Sequence, residues 1–295
     1  MAGMKYFRLG GFLLGFATLV ASQAAETPVV ITPELKGAWV VPDAAWDGRA
    51  VLLLHGFASE MDEAGGFYKR LAGELAAHGI ASLRINFRGE GDAARTKIES
   101  TFATRIADTE AALAFVLKQP GVDPTRLGLQ GWSLGGATAI ETGARHPDWF
   151  RSMVLWASTS GDQYAYMQEG SFGPAFTQAA REGTASMEFN GWKTVTIRQD
   201  FFESFRGIDL DKSLAKYPGA LLAIRGSDDF LPPHEPEFMK IAAARTASPS
   251  AGAKVPPAEA VIIAGADHLF HVFDGEKGQS ARVIELTVAW FGRTL

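Results

Sequence analysis

The chain has 295 residues, 47% of them hydrophobic and 21% charged, which is the make-up of a folded domain with ample material for a core. A formal net charge of −5 and the lack of any lysine or arginine run argue against a nucleic-acid partner. There is no cysteine, so disulfides, thiol catalysis and thiolate metal sites are all excluded.

Residues 1–24 read as an export signal. Lys5 and Arg8 supply a positive start, and Gly11 to Ala21 is an apolar run too short to span a bilayer comfortably. Ser22-Gln23-Ala24 then offers small residues for cleavage after Ala24. Loss of Lys5 and Arg8 would take the net charge from −5 to −7. The expected product is residues 25–295, periplasmic or secreted, with no stable membrane insertion. An uncleaved membrane anchor is the alternative.

The rest of the chain alternates strand and helix. Val29 to Ile31 and Ala38 to Val41 are opening strands, and Ala50-Val-Leu-Leu-Leu54 is a continuous apolar run typical of a strand buried on both faces. Phe67, Leu71 and Leu75 fall at helical spacing in Phe67 to His78, with Gly79 as a C-cap. Ile80 to Ile85 is the next strand, and Ala103 to Leu117 a helix stopped by Pro120-Gly121. Leu127 and Leu129 mark a short strand, Gly136 to Arg145 a helix, and Ser152 to Ala157 and Ala220 to Ile224 two more strands. Glu235 to Ala244 is a helix, Ala260 to Ala264 the last strand and Ser280 to Phe291 the closing helix. Strands separated by helices imply a mainly parallel sheet covered on both faces, hence an α/β fold.

Two segments break this rhythm. Ser158 to Tyr217 shows no clear period, yet ten of its 60 residues are aromatic, a density well above the 11% of the whole chain. Such a segment is not a disordered linker, and it reads as a cap inserted at about 158–217 over the sheet's carboxyl edge. Most of its rings are expected to hold the cap together, with some lining a pocket. Thr246 to Pro257, rich in Ala, Ser and Pro, reads as a surface loop.

The chemistry centres on Gly131-Trp-Ser-Leu-Gly135 between a strand and a helix. A serine at such a sharp turn needs small neighbours, which Gly131 and Gly135 provide, leaving the Ser133 hydroxyl above the sheet edge. A hydroxyl is a poor nucleophile near neutral pH and needs a base, itself held by a third group. Of the six histidines, His268 follows the last strand in Gly265-Ala-Asp-His-Leu-Phe270 and can swing over the turn, with His271 as runner-up. His78, His146 and His234 suit structural roles, and His55 a role in holding its own loop. Asp228 and Asp229 follow the preceding strand, and only one of the two neighbours can face the histidine. Asp229 is the choice, with Asp228 as a solvated or loop-bracing neighbour. Backbone N–H groups of Phe57, in the loop after the third strand, and of Leu134 are the expected oxyanion donors. Asp267, His268 and His271 do not suggest a metal site, since no fourth ligand lies near them in sequence.

Together Leu54-His-Gly-Phe57, Asn86-Phe-Arg-Gly-Glu-Gly-Asp92, Gly131-Trp-Ser-Leu-Gly135, Gly226-Ser-Asp-Asp229 and Gly265-Ala-Asp-His268 resemble the α/β-hydrolase superfamily. Within it the chain is most similar to bacterial serine esterases of the feruloyl (cinnamoyl) type, over almost everything after residue 50. In that family the acid falls three residues after a glycine and four before a proline, which Gly226 and Pro233 satisfy for Asp229. Trp132, in place of a commoner histidine, is expected to reshape the pocket, and the Thr246 to Pro257 loop is longer than the family pattern. The resemblance implies a cofactor-free carboxylic ester hydrolase acting on small-molecule esters, hydroxycinnamate or short acyl. A serine peptidase or amidase of the same fold, and a silent binding protein for a hydrophobic ligand, are the alternatives. The sequence leaves the oligomeric state open.

Overall fold

A computed structural model describes residues 25–43, 46–91, 95–189, 193–246, 255–276 and 278–295. The expected export signal over residues 1–24, Asp92, Trp192 and most of the Thr246 to Pro257 loop lie outside the described residues. The chain opens with an antiparallel pair, β1 (Ala25–Val30) and β2 (Lys36–Val41). Then follow β3 (Ala50–Leu54), α1 (Phe67–Ala77), β4 (Ala81–Asn86), a two-residue β5 (Lys97–Ile98) and α2 (Phe102–Val116). Next come β6 (Leu127–Trp132), α3 (Leu134–Arg145) and β7 (Ser152–Trp156).

After β7 the chain leaves the sheet through α4 (Gln163–Glu169), α5 (Gly173–Glu182), β8 (Thr184–Phe189), β9 (Lys193–Arg198), α6 (Gln199–Glu203) and α7 (Leu210–Leu214). It returns with β10 (Ala220–Gly226), α8 (Glu235–Thr246), β11 (Ala258–Ile263) and α9 (Ser280–Thr294).

Eight strands form one sheet in the order β1-β2-β4-β3-β6-β7-β10-β11. β1–β2 and β2–β4 are antiparallel, and every pair from β4 to β11 is parallel. Alternation along β3 shows how both faces are used. Leu52 and Leu54 join the core under α2 and α3, while Val51 and Leu53 join the core under α1 and α9. All five β3 residues are buried, which explains the unbroken apolar run in the sequence. Helix α2 begins at a capping box in which Thr101 and Thr104 satisfy each other's backbone, and its apolar stripe of Phe102, Ile106 and Leu113 faces the sheet.

The segment between β7 and β10 is regular after all. Helices α4, α5, α6 and α7 are 7, 10, 5 and 5 residues long, too short for a helical period to stand out in the sequence. The period-2 signal of β9 was there to be read: in Lys193-Thr-Val-Thr-Ile-Arg198 only Val195 and Ile197 are buried. β9 pairs antiparallel with β8 and parallel with β5, which ties this segment to the loop after β4. Its rings Phe201, Phe202, Phe205 and Tyr217 are buried and belong to the same core as α2 and α3.

Candidate active site

Ser133 sits between β6 and α3 with φ 54° and ψ −119°, backbone geometry that a non-glycine residue adopts only when its surroundings force it. The surroundings do so from both sides. Its N–H donates to the Trp156 carbonyl at 2.8 Å, extending the β6–β7 ladder past the strand's end. A Cβ on Gly131 would lie 2.2 Å from the Gly135 carbonyl oxygen, and one on Gly135 only 2.0 Å from that of Leu54. No side chain fits at either place, so the turn can be this tight only with glycine on both sides of Ser133.

The acid and the histidine meet across two loops that are stitched together. The Asp228 N–H donates to the Ala266 carbonyl at 2.9 Å, and the Gly265 N–H donates to the Ser227 hydroxyl at 2.7 Å. His268 Nδ1 then lies 2.9 Å from Asp229 Oδ1, which also accepts from the Leu231 N–H at 2.8 Å. The Asp229 carboxyl is fully buried, whereas Asp228 is exposed and takes a hydrogen bond from Ser227 Oγ. Of the two aspartates, Asp229 is therefore the one the structure brings to the histidine. His271 turns away, with its Nε2 at 2.8 Å from the Gly265 carbonyl.

Trp132 does not shape a pocket as its position in the sequence suggested. Its ring is buried in the core under α1 and α9, with centroids 5.3 Å from Phe67 and 5.9 Å from Trp156. β6 side chains alternate, and the residue before Ser133 falls on the face opposite α3. From there Nε1 donates to the His268 carbonyl at 3.2 Å, so the ring anchors the histidine loop next to Ser133.

The loop after β3 carries Phe57. Gly56 lies against Ser133, since a Cβ on Gly56 would sit 3.6 Å from Ser133 Cβ. The Gly56 N–H is held by the buried Glu63 carboxylate, which also takes the Ser59 hydroxyl. Glu63 itself has φ 60°, and burial pushes its carboxyl up against the pull of those bonds. Among the described residues no protein group accepts from the Phe57 or Leu134 N–H. Sequence reasoning missed Glu63, which lies in a loop without a pattern. It also missed Arg105, where a signal existed: a charge inside the apolar stripe of α2.

His55 holds this loop, as its position implied. Its Nδ1 is 2.7 Å from the Gly56 carbonyl, and its Nε2 accepts from the Phe87 N–H at 3.1 Å. Nδ1 therefore carries the proton. Burial, aided by the Arg105 charge, lowers its pKa from 6.5 to about 4. Below pH 6.5 the unfolded chain binds this proton and the folded chain does not, so stability falls as pH drops from about 6.5 through about 4. The expected result in ¹⁵N spectra is a His55 Nε2 that stays unprotonated down to about pH 5. A ring titrating at the free value of about 6.5 would contradict the assignment.

Beside the His268–Asp229 pair opens a cleft of about 370 Å³, lined by Tyr166 and Ser171 from the α4–α5 region and by Phe230, Leu231 and Pro232 after Asp229. The Phe230 ring is 67% exposed and its centroid is 4.5 Å from that of His268. Burial, with a further push from the Asp229 charge, holds the Tyr166 phenol above its ordinary value. On the other side of the site Phe57 inserts among Phe172, Phe189 and Phe201, with centroids 5.0–5.7 Å away. Lys193 of β9 donates to the Ala58 carbonyl at 3.0 Å, a second tie between this loop and the segment above it. A larger open depression of about 830 Å³ runs along Asn86 to Gly91, is lined by charged groups such as Arg88, Arg95 and Glu99, and does not reach His268. Among the described residues no group of three or more His, Asp or Glu is placed to hold a metal, and no helix is long and apolar enough to cross a membrane.

Residues 48–187, slightly under half of the chain, match the serine aminopeptidase S33 hydrolase family. That stretch includes Phe57 and Ser133 and ends before Asp229 and His268. Among solved structures, Est1E from Butyrivibrio proteoclasticus is similar with a TM-score of 0.62 at 15% identity, over 91% of this chain and 99% of that one. The chain has the α/β-hydrolase fold. A second structure of Est1E, with ferulic acid bound, gives a TM-score of 0.62 at 16% identity, over 88% and 96% of the two chains. The acylaminoacyl peptidase of Pyrococcus horikoshii gives 0.64 at 17% identity, over 92% of this chain and 42% of that one. No curated protein matches the sequence. The S33 match and the fold together support a hydrolytic enzyme, and on this scaffold the Ser133 turn follows the carboxyl end of β6 and the His268 loop that of β11, with β7 and β10 between them.

Proposed function

We propose that the chain is a serine hydrolase that cleaves carboxylic esters through an acyl-enzyme on Ser133. The observation that carries this reading is the His268 ring held by the buried Asp229 carboxyl and anchored through Trp132 to the turn that presents Ser133. With Nδ1 committed to Asp229, the His268 Nε2 is free to take the Ser133 proton as the hydroxyl attacks the acyl carbon. The negative oxygen of the tetrahedral intermediate goes to the Phe57 and Leu134 amides, at the start of α3 where the helix dipole adds to the field. His268 then protonates the leaving alcohol, and water repeats the cycle on the acyl-enzyme. The chemistry needs no cofactor.

The cleft supports an aromatic or short acyl substrate: the Tyr166 and Phe230 rings line it, Phe230 against His268, and no lysine or arginine does. Est1E, similar in fold, has been captured with ferulic acid, which favours a hydroxycinnamate ester here. A second reading, an aminopeptidase, draws on the S33 match and on Glu169, an exposed carboxylate at the cleft that could hold an amine. Parallel kcat/KM values for a hydroxycinnamate ester, a butyrate ester, a long-chain ester and an aminoacyl amide separate these. The expected order has one of the first two fastest. Fastest turnover of the amide would replace the esterase with the peptidase. Phe230→Ala should lower kcat/KM for the hydroxycinnamate ester by about two- to tenfold and leave butyrate nearly unchanged. An equal loss on both esters would remove Phe230 from substrate recognition.

We also propose that the chain is exported and loses residues 1–24, which the mass of the protein recovered from its native host would test. A mature start at Ala25 is the expected result, and an intact Met1 would reject it.

A further inference from the structure

Beneath the loop that carries Phe57 lies a charge pair with no contact to solvent. The side chains of Glu90 and Arg105 are both 0% exposed and meet at 2.5 Å. Glu90 Oε2 accepts the Ala58 N–H at 3.0 Å, and Oε1 also accepts the Ser100 hydroxyl at 2.6 Å. The Arg105 guanidinium spreads its remaining donors in two directions. One Nη donates to the His55 carbonyl, and Nε donates to the Thr138 hydroxyl at 3.2 Å. Thr138 in turn donates to the Leu134 carbonyl at 2.8 Å. The flat face of the guanidinium is covered by the Phe87 ring, 3.9 Å from its centroid.

These bonds have a pattern. His55 and Ala58 bracket Gly56-Phe57, and Leu134 is the first residue of α3. One buried ion pair therefore grips both backbone segments that offer free amides at Ser133, and neither segment touches the other through a strand ladder at that point. A planar guanidinium with several fixed donors suits this task, since a single ammonium could not reach both partners. Burial alone would push the Glu90 carboxyl up, but the Arg105 charge and the Ser100 hydroxyl hold it below the usual range, so the pair stays charged.

We propose that Glu90 and Arg105 are positioning residues that set the separation and direction of the Phe57 and Leu134 amides for the oxyanion. The proposal rests on the esterase reading above. Because oxyanion contacts form only in the transition state, their misalignment lowers kcat and spares KM. Loss of one oxyanion donor in a serine hydrolase costs on the order of 10²- to 10³-fold in kcat, which bounds the effect of moving one.

The test uses Glu90→Gln combined with Arg105→Met, which removes both charges together and keeps an acceptor for the Ala58 N–H, so that no lone buried charge is left. Far-UV circular dichroism and thermal melting establish that the variant is folded. The expected result is a kcat lower by about 30- to 1000-fold, KM within about threefold, and a boronic acid inhibitor, which forms a tetrahedral adduct on the serine, weakened by a similar factor. Binding of the free acid product should change by less than about threefold. Arg105→Lys keeps the charge opposite Glu90 and loses the fork, and should lower kcat about tenfold; it decides the matter if the double variant does not fold. A folded variant with kcat within threefold of wild type, or with a change in KM alone, overturns the proposal. If the wild-type protein neither turns over esters nor binds the boronate, the esterase reading itself fails and the proposal falls with it.

Discussion

Ser133→Ala is expected to lower ester turnover by on the order of 10⁴- to 10⁶-fold with the fold intact. The hydroxyl is the only group removed. Alanine accepts the same φ of 54° at no greater cost than serine, and the N–H bond to Trp156 does not involve the side chain. What remains is the proposed oxyanion site and the cleft, which alone would support only a small residue of the rate. Steady-state turnover of a purified, folded variant checks this, with residual activity near a tenth of wild type as the contrary result.

Asp229→Asn is expected to cost on the order of 10³- to 10⁴-fold in kcat. The replacement is close in size and keeps an acceptor for the Leu231 N–H, so the loop should hold. The amide, however, can donate where the carboxylate only accepted. That favours the tautomer with the proton on His268 Nε2, which then has no lone pair for the Ser133 hydroxyl. Asp228→Asn should change kcat by no more than a fewfold, because that side chain is exposed and bonds only to its neighbour Ser227. Side-by-side kinetics of the two variants decide between the aspartates, and a reversed pair of effects would move the acid to Asp228.

Much of this site is written in local sequence, and the reason is geometric. The turn at Ser133 tolerates nothing but glycine at 131 and 135, and the acid and histidine loops each leave the carboxyl end of a strand whose apolar run is plain in the sequence. Such constraints act over a few residues and leave a visible pattern. The pieces that escaped depend on distant chain. Which of Asp228 and Asp229 is buried follows from how the 226–229 and 265–268 loops are stitched, and spacing could only favour one of them. The burial of Trp132 follows from the pleat of β6 and from Phe67 and Trp156 closing around it, so a rule about the residue before the nucleophile pointed the wrong way. The helices of the inserted segment are too short to show a period, although the alternation of β9 was legible. Arg105 was visible as a charge on the wet-looking break of an apolar stripe, but its partners sit on three other elements, at His55, Glu90 and Thr138.

The most direct measurement is labelling of the wild-type protein with a fluorophosphonate, followed by mass mapping of the modified peptide. The expected result is one adduct, on Ser133, absent from Ser133→Ala and formed far more slowly by Asp229→Asn. A folded protein that stays unmodified, or one that carries its adduct on another residue, would contradict a serine hydrolase built on Ser133, His268 and Asp229.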